Sequence, residues 1–191
     1  MHTGVPRARP HLVTQAGLAR TFQNIRLFPN MTVAENVMVG QHTRIKQGLF
    51  SAIGPGPRYR RAERQARDKA AELAGFAGLG DRAEQLARDL AYGDQRRLEI
   101  ARALAAEPAV LLLDEPTAGM NPAETRQVRD LVAAIRERGL SVLVIEHDMR
   151  FIFGLCDRVV VLAHGAKLTE GTPAEVPGGR PGHRGLPGHA G

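Results

Sequence analysis

From residue 109 onward, short aliphatic runs alternate with longer mixed stretches, and this alternation restricts the fold more than any other feature of the chain. Runs at 109–113, 140–146 and 158–163 are separated by segments at 122–138 and 149–155 that read as helices. Continuous aliphatic runs of this length are what parallel strands buried on both faces require. Parallel neighbours need a crossover connection, which the intervening helices supply, so a layered α/β core is expected. A turn and a short final strand are expected at 165–169. Upstream, 17–22 reads as a short strand, and Thr32 as the N-cap of a helix near 33–39. A Gly- and Pro-rich linker is expected at 48–57, followed by a charged amphipathic helix at 58–76.

Composition enters mainly through what it excludes. A chain of 191 residues with 43% apolar and 24% charged side chains suits one globular α/β domain. Its longest apolar runs fall far short of the roughly 20 residues that cross a bilayer. No apolar h-region with a cleavage site follows the start, so a cytoplasmic location is expected. One cysteine, Cys156, rules out an internal disulfide framework or a cysteine-cluster metal site, and reads as a small buried apolar residue. The net charge of +6 is unevenly placed: residues 1–30 hold four arginines and no acid, and 177–191 hold two arginines and no acid. The stretch 31–176 is balanced, with 20 basic and 20 acidic residues. A neutral body disfavours a nucleic-acid groove, and the run Arg58, Arg60, Arg61, Arg64, Arg67 reads as a solvated helix face.

Three groups of residues carry candidate chemistry. Val110-Leu111-Leu112-Leu113-Asp114-Glu115 ends a buried strand with two carboxylates, at the edge where open α/β sheets bind ligands. In nucleotide hydrolysis the first acid can hold Mg²⁺ and the second can polarise the attacking water. Aliphatic runs ending in an acid are common, so a purely structural pair fits equally well at this point; Pro116-Thr117 narrows the choice. The second group is the turn Leu90-Ala91-Tyr92-Gly93-Asp94-Gln95, which runs into a helix through Leu104. A helix N-terminus offers free N–H groups to a phosphate, and Gly93 lets the backbone approach closely. The third is His147, closing the strand Ser141 to Glu146 and lying 32 residues after Glu115, where a γ-phosphate contact competes with an ordinary structural histidine.

In this order the motifs resemble those of the ABC ATPase family, in its LivG-type branch for branched-chain amino acid import. Leu90 to Leu104 resembles the signature segment, with Ala91 in place of the usual serine and Asp94 where glutamine is usual. His147 resembles the switch histidine. Ala19-Arg20-Thr21-Phe22-Gln23-Asn24, with Leu27-Phe28 and Met31 to Val37, resembles the Q-loop segment, in which Gln23 would report nucleotide state to a membrane subunit; a plain surface glutamine is the alternative. Ala118-Gly119-Met120-Asn121-Pro122 occupies the D-loop position, from which Asn121 would act across a dimer interface. The resemblance spans roughly residues 10–176. It implies an ABC-type P-loop NTPase core, a parallel sheet with flanking helices, in a domain at 17–176 with a helical subdomain at about 32–106. It also implies ATP and Mg²⁺ as cofactors. Glu115 and His147 would be catalytic, Asp114 and Gln23 metal ligands, and Gln23, Ala91, Tyr92, Gly93, Asp94, Gln95 and Asn121 nucleotide contacts. The implied partners are a second, LivF-like ATPase in a head-to-tail dimer, two membrane permeases and, indirectly, a periplasmic binding protein. No nucleic acid is implied, and the location becomes the inner face of the plasma membrane, held by the permeases.

Two departures qualify the resemblance. A phosphate loop needs a glycine-rich turn with Lys and then Ser or Thr directly after its last glycine. The three lysines, Lys46, Lys69 and Lys167, follow Ile45, Asp68 and Ala166, so no such sequence exists in the chain. In the family that loop precedes the Q-loop, and only 22 residues precede Gln23. The expectation is an N-terminally truncated chain, from a late start codon or a truncated gene, with 1–16 a remnant of the N-terminal lobe. At the other end 170–176 is family-like, whereas nine of the 15 residues of 177–191 are Gly or Pro. Codons exist for Gly179 to Ala190 that, read one base later, encode the tail expected of a LivG-like protein, which points to a frameshift near residue 177. The alternatives are a non-hydrolysing remnant of such a subunit, a lipopolysaccharide-export ATPase, against which Arg20-Thr21-Phe22-Gln23 speaks, and a DNA-repair or chromosome-maintenance ATPase, which would need a long coiled-coil or zinc-bearing insertion.

Overall fold

The computed structural model describes residues 17–21, 23–45 and 57–176. The expected N-terminal remnant, nearly all of the linker at 48–57 and the tail at 177–191 lie outside the described residues. In chain order the elements are β1 (Leu18–Arg20), α1 (Val33–Ile45), α2 (Pro57–Phe76), α3 (Tyr92–Leu104), β2 (Val110–Asp114), α4 (Pro122–Glu137), β3 (Ser141–Ile145), α5 (Met149–Phe153), β4 (Val159–Ala163) and β5 (Ala166–Gly171). They form two compact units, 1–145 and 146–191.

The first unit is built on a parallel sheet in the order β1-β2-β3. Leu18 pairs with Val110 and Val110 with Ser141, and the ladder ends with Asp114 beside Ile145. Ala19, Leu111 and Leu113 point to one face and are 7%, 0% and 0% exposed. On α4, Val128, Leu131, Val132 and Ile135 are buried at spacings of three and four residues, the apolar stripe of a helix laid on a core. The opposite sheet face departs from the expectation of strands buried on both sides. Leu18, Leu143 and Ile145 are 37%, 53% and 49% exposed there, so the aliphatic run of β3 reflects a strand covered on one face only among the described residues.

The helices α1, α2 and α3 form a layer of their own. Thr32 caps α1 as expected: its Oγ1 accepts from the Glu35 N–H at 3.2 Å, and the Glu35 carboxylate accepts from the Thr32 N–H at 2.8 Å. Asn36, fully buried, donates to the carbonyls of Phe28, Met31 and Thr32 and accepts from the Phe28 N–H, pinning the preceding loop to α1. A Cβ on Gly40 would lie 2.1 Å from the Arg102 carbonyl oxygen, so the approach of α1 to α3 requires glycine.

The second unit corrects the reading of 158–163 as another parallel strand. Among the described residues β4 pairs only with β5, antiparallel, in a separate two-stranded sheet. The cause is local. His164 and Gly165 have φ of +49° and +77°, the backbone of a two-residue type I′ turn, which folds the chain directly back on itself. Ile152, Val159 and Val176 form a small core with Phe153, Cys156 and Val161 packed on it. Cys156 is half-buried rather than fully buried.

Candidate functional site at the end of the second strand

Asp114 ends β2, and Glu115 follows in a left-handed conformation with φ +44°. Such a backbone costs a non-glycine residue on the order of 1–3 kcal/mol and recurs at functional sites. It is held by the Glu115 N–H, which donates to the Ile145 carbonyl at 2.8 Å. Because β1 lies alongside β2, the residues at the end of β1 reach the acid pair. Arg20 donates to Asp114 Oδ2 at 2.7 Å, and Gln23 Nε2 donates to Glu115 Oε2 at 2.8 Å. With 54% of the Arg20 side chain exposed, that ion pair contributes at most about 1 kcal/mol. Gln23, Asp114 and Glu115 are therefore brought together, and Arg20 joins them.

The loop carrying Gln23 is fastened from α3 by a pair that sequence reading passed over. Arg96 donates to the Gln23 carbonyl at 2.7 Å and to Glu99 Oε2 at 2.8 Å, while Glu99 Oε1 accepts from the Arg26 N–H at 3.2 Å. The two side chains are 0% and 2% exposed. The available signal was their i, i+3 spacing in line with Ile100 and Ala103, which places both on the apolar stripe of α3.

At the N-terminus of α3, Ala91 is the N-cap and makes no side-chain cap hydrogen bond. Tyr92 is 43% exposed. The Asp94 carboxylate is engaged inside the fold by Arg82 and Arg97, and Gln95 Nε2 donates to the Leu90 carbonyl at 3.0 Å. What this turn can present to an anion is thus the backbone N–H groups of its first residues and the Tyr92 side chain, rather than those of Asp94 or Gln95. Gly93 faces α4: a Cβ there would lie 2.8 Å from Glu124 Cγ. Glu124 also accepts from the Asn121 N–H at 3.0 Å, while Asn121 Oδ1 accepts from the N–H groups of Ala123 and Glu124 at 2.8 and 3.0 Å. Asn121 is thereby the N-cap of α4, and Glu124 sets its turn beside Gly93. Among the described residues no hydrogen bond joins Ala91 to Gln95 with the acid pair.

His147 belongs to the second unit. Its side chain is 78% exposed, with Nδ1 3.8 Å from the buried Glu146 carboxylate, which also accepts from the His147 N–H. Asp148, next in the chain, caps α5.

A family profile described as ABC transporter matches residues 6–118, more than half of the chain. The chain belongs to the ABC transporter family. The acid pair, the turn into α3 and the Gln23 loop thus sit in an ABC cassette, as the motifs implied. The high-affinity branched-chain amino acid transport ATP-binding protein LivG of Salmonella typhimurium is 47% identical over 165 residues, 86% of this chain and 65% of that protein. BraF of Pseudomonas aeruginosa, also described as a high-affinity branched-chain amino acid transport ATP-binding protein, is 43% identical over 167 residues, 87% of this chain and 66% of that protein. The chain thus spans about two thirds of the length of these relatives. Among solved structures, cbiO1 from Clostridium perfringens superimposes with a TM-score of 0.70 at 25% identity, covering 84% of this chain and 59% of that one. The fold is that of an ABC ATPase cassette.

Proposed function

We propose that this chain is the greater part of the ATP-binding and hydrolysing subunit of an ABC importer for branched-chain amino acids. The supporting observation is the hydrogen bond from Gln23 to Glu115 beside Asp114, which gathers three polar side chains at the carboxyl end of a parallel strand. Glu115 is the general base: one carboxylate oxygen takes a proton from the attacking water as that water forms its bond to the terminal phosphorus. Gln23 holds Glu115 until nucleotide arrives and then exchanges that contact for one to the nucleotide. Backbone N–H groups at the start of α3 meet the phosphates of the ATP held by a partner subunit, with Asn121 at that interface, and His147 contacts the γ-phosphate.

The donor set fits Mg²⁺, which keeps several waters and takes one or two protein oxygens together with phosphate oxygens. Asp114 and the Gln23 side-chain oxygen would hold it, and when bound it neutralises charge on the phosphates. The partners are a LivF-like ATPase, membrane permeases and, indirectly, a periplasmic binding protein. Attachment at the inner face runs through the permeases; no described helix is long and apolar enough to cross a membrane.

A second reading, a subunit that does not hydrolyse ATP, is favoured by one observation, that the sequence contains no Gly-Lys-Ser/Thr. The deciding experiment joins the segment of Salmonella LivG that carries its phosphate loop upstream of residue 17 and measures phosphate release with the permeases and LivF present. Hydrolysis that Glu115→Gln abolishes while ATP binding persists supports the proposal. Near-normal turnover in Glu115→Gln would show that Glu115 is not the base.

A further inference from the structure

The charge run that reads as a solvated face has a more specific arrangement in the fold. The helix α2 buries Ala70, Leu73 and Ala74, and leaves Arg60, Arg61, Arg64 and Arg67 exposed. On a helical wheel Arg60, Arg64 and Arg67 fall on one stripe with Arg61 beside it, over about 10 Å of axis. Arg67 pairs with Glu63 at 3.0 Å, a weak, exposed contact. Among the described residues no ion pair is recorded for Arg60, Arg61 or Arg64.

Their position opposes the electrostatics of the helix itself. The first turn of α2 contains no acidic residue; of its acids, Glu63 lies among the arginines and pairs with Arg67, and Asp68 and Glu72 lie farther along the helix. In that first turn Arg60 stands where a cation opposes the helix macrodipole, an effect that fades over the following turn. Arg60, Arg61 and Arg64, without ion-pair partners among the described residues, raise a local positive potential that an anionic surface relieves through the guanidinium groups.

We propose that the N-terminal half of α2 is a contact for an anionic lipid surface. Arginine rather than lysine suits headgroup phosphates, because its fork donates two parallel hydrogen bonds. The patch is a convex helix edge, which meets a flat layer of headgroups, and it is too short to track a nucleic-acid backbone. The choice of a lipid layer rests on the transporter reading above, which sets the chain against a membrane.

The test is flotation of the purified chain, without nucleotide or permease, on vesicles of phosphatidylcholine with and without one third phosphatidylserine at 0.1 M salt. This readout does not depend on ATP chemistry, so failure of the transport reading and failure of this proposal are distinguishable. Binding is expected on the anionic vesicles only, weakening as salt rises. Combined Arg60→Gln, Arg61→Gln and Arg64→Gln should lower it about a hundredfold, from about fivefold per arginine near a charged leaflet. Circular dichroism should show the helical signal unchanged, and lysine at the same three positions should bind more tightly than glutamine and less tightly than arginine. Equal flotation on pure phosphatidylcholine, or none on anionic vesicles, overturns the proposal. So does an equal loss from Arg7→Gln, Arg9→Gln and Arg184→Gln, which changes net charge by the same amount elsewhere. Displacement by inorganic phosphate but not by chloride of matched ionic strength would make the patch a free-phosphate site and would also overturn it.

Discussion

Gln23 and Glu115, 92 positions apart, are joined side chain to side chain at 2.8 Å, and the same glutamine is held through its carbonyl by Arg96. The residue that reaches the candidate base is thus tied by its backbone to the helix that begins at the signature turn.

The 191-residue chain by itself should show no Mg-dependent ATP hydrolysis above background. A phosphate cradle with its lysine supplies both nucleotide binding and charge stabilisation in phosphoryl transfer, and no Gly-Lys-Ser/Thr sequence is present to build one. Phosphate release by the purified chain is the measurement, and turnover abolished by Glu115→Gln would contradict this expectation.

Breaking the Arg96–Glu99 pair from one side should be costly. Arg96→Leu leaves a buried carboxylate without its cation, and losses of about 3–5 kcal/mol are typical of that situation. Replacing both with apolar residues of similar volume, Arg96→Met with Glu99→Leu, should restore much of the stability while still freeing the Gln23 loop. Urea unfolding reads the first effect, and hydrogen exchange at the Arg26 amide, which Glu99 accepts, reads the second.

Two glycine substitutions should separate clearly. Gly40→Ala drives a methyl group to 2.1 Å from a backbone carbonyl oxygen, which can be relieved only by moving α1 away from α3. Gly93→Ala meets the side chain of Glu124, which can swing aside at the loss of its capping bond to Asn121, worth about 1 kcal/mol. The expected order of lost thermal stability is Gly40→Ala well above Gly93→Ala, and the reverse order would contradict the packing described.

The uncovered face of the parallel sheet should make the isolated chain self-associate. Leu143 and Ile145 stand half exposed on β3, and bare apolar sheet surfaces of this kind promote aggregation. Leu143→Lys with Ile145→Glu should raise the monomer fraction in sedimentation velocity, whereas a monodisperse, cooperatively melting parent would count against the expectation.

Much of this site is legible in the sequence because its signals are local. The acid pair sits directly at the end of an aliphatic run, and Thr32 caps its helix through a residue three positions away. What escapes reading is decided at long range. Arg96 and Glu99 look like ordinary helix charges until the Gln23 loop, 73 residues distant, closes over them. Asp94 looks available to a ligand until Arg82 and Arg97 are seen to engage it. The aliphatic run of β4 matches a parallel strand in composition, but a two-residue turn selects the nearer, antiparallel partner.

The order β1-β2-β3 also carries a sense of winding. The chain advances through this sheet in one direction, and right-handed crossovers taken in one direction lay their helices on one side. One side carries the buried Ala19, Leu111 and Leu113, and among the described residues Leu18, Leu143 and Ile145 stand bare on the other. In open α/β sheets the ligand crevice forms at the seam where the two senses meet. These three strands carry one sense alone, and so they supply one bank of such a crevice.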